Sequence, residues 1–149
     1  MAVLIDTSIL GRLANAADVK HSVAVAVVLE LHRRGEVLHS TPQIFVEFRN
    51  VATRPISVNG LGLTAAEADA LAEIFETRFP LLEDNSEVHP AWTTLVVAAA
   101  VICKQVHDAR LVAVCHTHGV PQLLTFNVRH FARFSGYGPG LMILDQDQI

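Results

Sequence analysis

The chain has 149 residues, of which 51% are apolar and 17% charged, and its formal net charge is −4. That length suits one domain with its own core, and so apolar a composition excludes intrinsic disorder. The acidic balance excludes a broadly basic nucleic-acid surface. It does not exclude nucleic acid as a substrate, because a bound divalent metal reverses the local field where a phosphate sits. No apolar run reaches membrane-spanning length, and the longest, Leu95 to Cys103, reads as a buried helix. The short apolar N-terminus carries no basic leader before its first acid, so no signal peptide is expected. Cys103 and Cys115 form neither a zinc pattern nor a disulfide framework, which points to reduced thiols in a cytoplasmic protein.

Val3-Leu4-Ile5 reads as a short buried strand, ended by Asp6. Thr7-Ser8 is then expected to cap a short helix through Leu13. Between Lys20 and Arg34, Val23, Val27, Val28 and Leu31 fall at helical spacing, with Gly35 just after. Val37-Leu38 suits a second strand. Thr41-Pro42 starts a helix that carries Ile44, Phe45, Glu47 and Phe48, with proline at its first position. Arg54 to Leu63 is an irregular loop. Thr64-Ala65-Ala66-Glu67 is a capping box that opens a helix to about Arg78. Pro80-Leu81-Leu82 is a further strand candidate.

Pro90 is expected to open a long apolar helix to about Gln105, and Asp108 to begin another that ends near His118-Gly119. Gln122 to Thr125 is a strand candidate, Asn127 to Phe134 a short helical turn, and Leu141 to Leu144 a last strand. Gly136-Tyr137-Gly138-Pro139-Gly140 does not lead from a strand into a helix and lacks the Lys-Ser/Thr of a phosphate loop, so it reads as a turn. Strands without two-residue periodicity, alternating with amphipathic helices, point to a parallel sheet covered on both faces. Sites in such sheets form beyond the carboxyl ends of strands, where Asp6 and Asn127 fall.

Three acids lie beside apolar runs: Asp6, Glu47 and Asp108. A carboxylate close to core sequence is costly unless it is paired or binds metal. Each also has a plain alternative. Asp6 and Asp108 suit helix caps. Glu47 suits a solvent-facing position or a pair with Arg49 or Arg54. His107 is a weaker ligand candidate. Taken together, the acids suit a shared hard cation, Mg²⁺ or Mn²⁺ and not zinc. Aspartyl phosphatases need a second acid where Ser8 stands. Receiver domains need a lysine after a late strand, and the only late lysine is Lys104, within a helical stretch.

Four segments carry a resemblance. They are Leu4-Ile5-Asp6-Thr7-Ser8, Phe45-Val46-Glu47-Phe48, His107-Asp108-Ala109-Arg110-Leu111-Val112-Ala113, and Leu123-Leu124-Thr125-Phe126-Asn127-Val128-Arg129-His130-Phe131. In this order they resemble PIN-domain proteins and, within that group, VapC-type toxins. The resemblance implies one PIN-like domain over residues 1–149, a three-layer α/β/α sandwich with a mainly parallel central sheet. It implies a Mg²⁺- or Mn²⁺-dependent endoribonuclease, with Asp6, Glu47 and Asp108 as catalytic metal ligands and Thr7 or Ser8 as the supporting hydroxyl. It also implies an RNA substrate, a small antitoxin partner and a homodimer; a mean hydropathy of +0.37 suits a chain that hides surface in such contacts.

The last segment departs from the family pattern. A fourth acid usually stands there, and this chain has Asn127 and His130 instead. Asn127 offers a carbonyl oxygen without charge, so it is a weak fourth ligand. The departure keeps an alternative open: a PIN-like module that binds RNA or protein with weak or no catalysis. Cations for the RNA backbone are sought at Arg49, Arg54, Arg129 and Arg133. Phe126, Phe131 and Phe134 read as core rather than as stacking platforms. Crowded carboxylates repel one another, so at least one should have a raised pKa and metal affinity should fall in acid.

Overall fold

The computed structural model of the chain describes residues 1–138 and 140–149. Four parallel strands form one sheet in the order β2-β1-β3-β4: β1 is Ala2–Ile5, β2 Val37–His39, β3 Gln122–Leu124 and β4 Met142–Leu144. The register aligns Leu4 with His39 on one side and with Leu123 on the other, and Leu123 with Ile143. Val3, Leu4, Ile5, Leu123 and Leu124 are wholly buried. Burial on both faces explains why these strands read as unbroken apolar runs. Helices flank the sheet: α1 Thr7–Ala14, α2 His21–Arg33, α3 Pro42–Thr53, α4 Ala65–Arg78, α5 Val88–Ala98, α6 Gln105–His118 and the single turn α7 Val128–Phe131. This is the α/β/α arrangement expected from the sequence.

The chain leaves β1 toward β2 on one side and returns to β3 on the other. A crevice therefore opens beyond the carboxyl ends of β1 and β3, at the switch in strand order. A bond from the Asp6 backbone N–H to the Leu124 carbonyl (2.9 Å) locks the two strand ends together there. On the far side, Phe48 of α3 meets Phe75 of α4 edge to face, with ring centroids 5.5 Å apart, and fixes how α3 lies on the core.

Local signals place most helix starts. Thr41 accepts from the Ile44 N–H with Pro42 at the first helical position, and Thr64 with Glu67 forms a complete capping box. Four expectations need correction. Asp6 itself is the residue preceding α1, so Thr7 and Ser8 are its first helical residues rather than its cap. Pro80-Leu81-Leu82 contributes a single parallel bridge, Leu81 to Ser40, instead of a strand. The helix expected from Pro90 to Gln105 starts at Val88 and stops at Ala98. Proline is tolerated in its first turn because no N–H there has an intrahelical partner. The chain then turns through left-handed backbone at Ala100 and Cys103, leaving Val97 and Ile102 exposed rather than buried. The helix expected to begin at Asp108 is α6 and begins at Gln105, so Asp108 sits in its first turn and not at its start. Pro139, within the expected glycine-rich turn, lies outside the described residues.

The loop after α3 is pinned by a close backbone approach. A Cβ on Gly60 would lie 1.9 Å from the Arg54 carbonyl oxygen, which cannot yield without moving the chain. Gly60→Ala is expected to cost ~1–3 kcal/mol in urea denaturation. Gly11, inside α1 with open space at its Cβ position, is the converse: Gly11→Ala should stabilise by ~0.5–1 kcal/mol. Equal effects of the two substitutions would contradict this account.

Candidate functional site

The crevice at the β1 and β3 ends is an open cleft of about 430 Å³. Asp6, Glu47 and Asp108 all line it, with Thr7, Ser8, Arg12, Arg54 and Asn127. Three elements deliver the acids: the end of β1, the middle of α3 and the first turn of α6. Residues 40 or more positions apart in sequence thus share one wall.

Asp6 is 5% exposed, and among the described residues no lysine, arginine or histidine stands within ion-pair distance of it. Its Oδ2 accepts from the Ser8 hydroxyl and from the Thr125 hydroxyl, each at 2.8 Å. Both hydroxyls accept backbone N–H groups in turn: Phe126 to Ser8 at 3.1 Å and Asn127 to Thr125 at 2.9 Å. Each hydroxyl proton is thereby aimed at Asp6. The network favours an ionised carboxylate, while burial resists one. Burial prevails and raises the Asp6 pKa, opposed by the Ser8 and Thr125 bonds and reinforced by the charge of Glu47.

Glu47 is half-buried, with both oxygens engaged. Oε2 accepts from the Thr7 hydroxyl at 2.6 Å and Oε1 from the Gln43 amide at 2.9 Å. Neither Arg49 nor Arg54 is its partner, as the sequence had allowed. Gln43 also donates to the His107 carbonyl (2.9 Å) and accepts from Arg110 (3.2 Å), so it ties α3 to the start of α6. Gln43 lies one helical turn before Glu47, at i−4, a spacing that puts both on one face. Asp108 is partly covered and does not cap its helix. Its carboxyl is pushed up to about 6, first by burial and then by the charge of Asp6; His130 opposes the shift, and Glu47 adds to it. His130 Nδ1 stands 3.7 Å from Asp108 Oδ2.

Other sequence candidates disperse. Arg54 lines the cleft. Arg49 bonds to Asp69 at 2.7 Å. Arg133 bonds to Gln105 at 2.7 Å and to the Ala99 carbonyl. Arg129 is exposed and outside the cleft wall, and His107 is exposed. Phe131 and Phe134 are buried as expected, whereas Phe126 is only half-buried beside the site. Sequence reasoning missed Gln43, Thr125 and Arg12 as contributors. Only helical spacing, i−4 from Glu47 for Gln43 and i+4 from Ser8 for Arg12, signalled two of them.

Among the described residues, no three His, Cys, Asp or Glu side chains are gathered tightly enough to enclose an ion. The three acids are neighbours across one cleft rather than a finished coordination shell. The donor set still fits a hard divalent cation. It is all oxygen, it is anionic, and its most buried member has hydroxyl partners but no cationic one.

The PIN domain family model matches residues 3–137. The chain belongs to the PIN domain family. No curated protein sequence matches it. Among solved structures it resembles VapBC2 from Rickettsia felis bound to a promoter DNA fragment, at 16% identity and a TM-score of 0.71, covering 97% of this chain and 98% of that one. It resembles VapBC-1 from nontypeable Haemophilus influenzae at 15% identity and a TM-score of 0.71, covering 99% of each. Mycobacterium tuberculosis VapC20, described as a sarcin-ricin loop cleaving toxin, is 21% identical with a TM-score of 0.64, over 87% of this chain and 93% of that one. These likenesses place the fold.

The raised acids give a pH dependence of defined sign. Asp108 moves from the ordinary 3.8 to about 6 on folding, so the folded chain keeps a proton that the unfolded chain has released. The associated stabilisation is whole below about pH 4 and is lost as pH rises through about 6; Asp6 acts in the same direction. Asp108→Asn should therefore flatten the dependence of Tm on pH across that window and raise the metal-free Tm at neutral pH. A Tm difference between wild type and variant that is constant with pH would contradict the raised pKa.

Proposed function

We propose that this chain is a metal-dependent endoribonuclease that hydrolyses RNA phosphodiester bonds, as the toxin of a VapBC-type toxin–antitoxin pair. One observation carries the reading: Asp6, buried and without a cationic partner among the described residues, shares a cleft with Glu47 and Asp108. Membership of the PIN domain family supports nuclease chemistry. Likeness in fold to VapBC complexes and to a toxin described as cleaving the sarcin-ricin loop supports an RNA substrate and a small antitoxin partner. A homodimer is part of the same proposal.

Asp6, Glu47 and Asp108 would hold Mg²⁺ or Mn²⁺, with Asn127 as a neutral carbonyl donor at the rim. When bound, such an ion supplies Lewis acidity toward water and phosphoryl oxygen. The residues do the rest. Ser8 and Thr125 fix the orientation of Asp6, and Thr7 with Gln43 fixes that of Glu47. Asp108 or Glu47 would take the proton of the attacking water. Arg54 on the cleft wall contributes a cation toward the RNA backbone. The product is a chain cut with a 5′-phosphate end.

A second reading, a PIN-like module that binds RNA or protein with weak or no catalysis, is favoured by the neutral Asn127 and the imidazole of His130 at the family's fourth acidic place. RNA binding without Mg²⁺ or Mn²⁺ binding would select it.

Cleavage of structured and single-stranded RNAs with Mg²⁺ or Mn²⁺ tests the proposal. Asp6→Asn is expected to abolish cleavage. Thr125→Val, which removes one of the hydroxyls orienting Asp6, should reduce activity or metal affinity ~10–100-fold. Wild type and Asp6→Asn behaving alike across several RNAs would overturn the catalytic assignment.

A further inference from the structure

Four carboxylates line the cleft, Asp6, Asp18, Glu47 and Asp108, and repel the backbone of an RNA, so a nuclease reading needs a cation within the same cleft. Arg12 is placed for that task. It lies on α1 one turn after Ser8 and lines the cleft with the acids. Among the described residues its guanidinium donates once, from Nη1 to the Ser8 carbonyl at 3.1 Å. Its Nε–H is buried without a hydrogen-bond partner among the described residues, and it makes no ion pair with them. A guanidinium has five donors in a planar fork.

What holds the fork is aromatic. The Arg12 Cζ lies 4.5 Å from the centroid of the Phe126 ring, and the Lys20 Nζ lies 5.3 Å from the same ring. Phe126 follows Thr125, and its own N–H is bonded to the Ser8 hydroxyl. The chain segment that orients Asp6 therefore also supplies the platform for Arg12. Asp18 lines the same cleft, accepts the Lys20 backbone N–H at 2.7 Å and makes no ion pair with Arg12. Stacking on the ring leaves the Nη1–Nη2 end of the guanidinium, away from the buried Nε, for two parallel bonds to a phosphate, with Nη1 keeping one hydrogen on Ser8.

We propose that Arg12, positioned by Phe126 and assisted by Lys20, is a phosphodiester-binding subsite that seats the RNA backbone against the carboxylate wall. This rests on the nuclease reading and adds to it the group that receives the substrate's phosphate. Phe126 is a positioning residue: it touches Arg12 and not the phosphate.

The test measures binding of a short fluorescein-labelled single-stranded RNA of mixed sequence by anisotropy, with a chelator present, over a series of salt concentrations. Arg12→Gln should weaken binding about tenfold or more and lower the slope of log affinity against log salt by ~0.7. Arg12→Lys should keep the slope and lose part of the affinity, because the charge remains and the fork does not. Phe126→Leu should weaken binding, and Phe126→Tyr should restore it. The Mn²⁺ isotherm of Arg12→Gln should match wild type, which shows the carboxylate wall intact. Wild type that neither binds nor cleaves RNA would overturn the nuclease reading together with this one. Wild type that binds, with Arg12→Gln equal to it in affinity and slope, would overturn the subsite alone.

Discussion

One buried carboxylate organises this molecule. Asp6 is held at the end of the central strand by two hydroxyls, and those hydroxyls are held by the backbone of the loop after β3. Four hydrogen bonds thus join two strand ends, a helix start and a loop around a charge that burial disfavours. Removing a carboxylate from water without a cationic partner costs several kcal/mol, and the hydroxyl bonds return only part of that. The fold tolerates the deficit because Val3, Leu4, Ile5, Leu123 and Leu124 beside it are apolar and wholly buried. A site that carries such a deficit is where function is expected, since perturbed carboxyls gather at working sites.

The sheet topology decides which other residues join it. Because the strand order reverses between β1 and β3, their carboxyl ends form an open crevice instead of a covered edge. Glu47 and Asp108 enter from α3 and α6, the first and last helices of the connection between β2 and β3, and Gln43 braces those two helices against each other. The acids sense one another, as the raised Asp6 and Asp108 carboxyls show. Arg12 and Arg54 bring positive charge to the same cleft, so it combines an anionic wall with cations along its lining.

Much of this was legible in the sequence. The apolar runs around Leu4 and Leu123 gave the central strands, Thr64 with Glu67 gave a helix start, and the three acids beside core segments gave the cleft wall. The segment from Pro90 to Gln105 was not legible, because apolar content alone cannot separate a buried helix from a short helix followed by an exposed turn; left-handed residues at Ala100 and Cys103 carry no glycine to announce them. Arg49 and Arg133 looked like cleft cations by proximity in sequence, but helix rotation points them at Asp69 and Gln105. Arg12 was passed over because its importance depends on Phe126, over a hundred positions away, and such contacts leave no local pattern.

The central claim is that the Asp6, Glu47 and Asp108 wall takes up a hard divalent cation to balance its charge. Calorimetric titration of the purified chain with Mn²⁺ near pH 7.5 and again near pH 5.5 tests it most directly. The account predicts saturable binding at the higher pH, with protons released as the ion enters, and much weaker binding at the lower pH, where Asp108 with its carboxyl near 6 is largely protonated. No binding at either pH, or binding of equal strength at both, would contradict it.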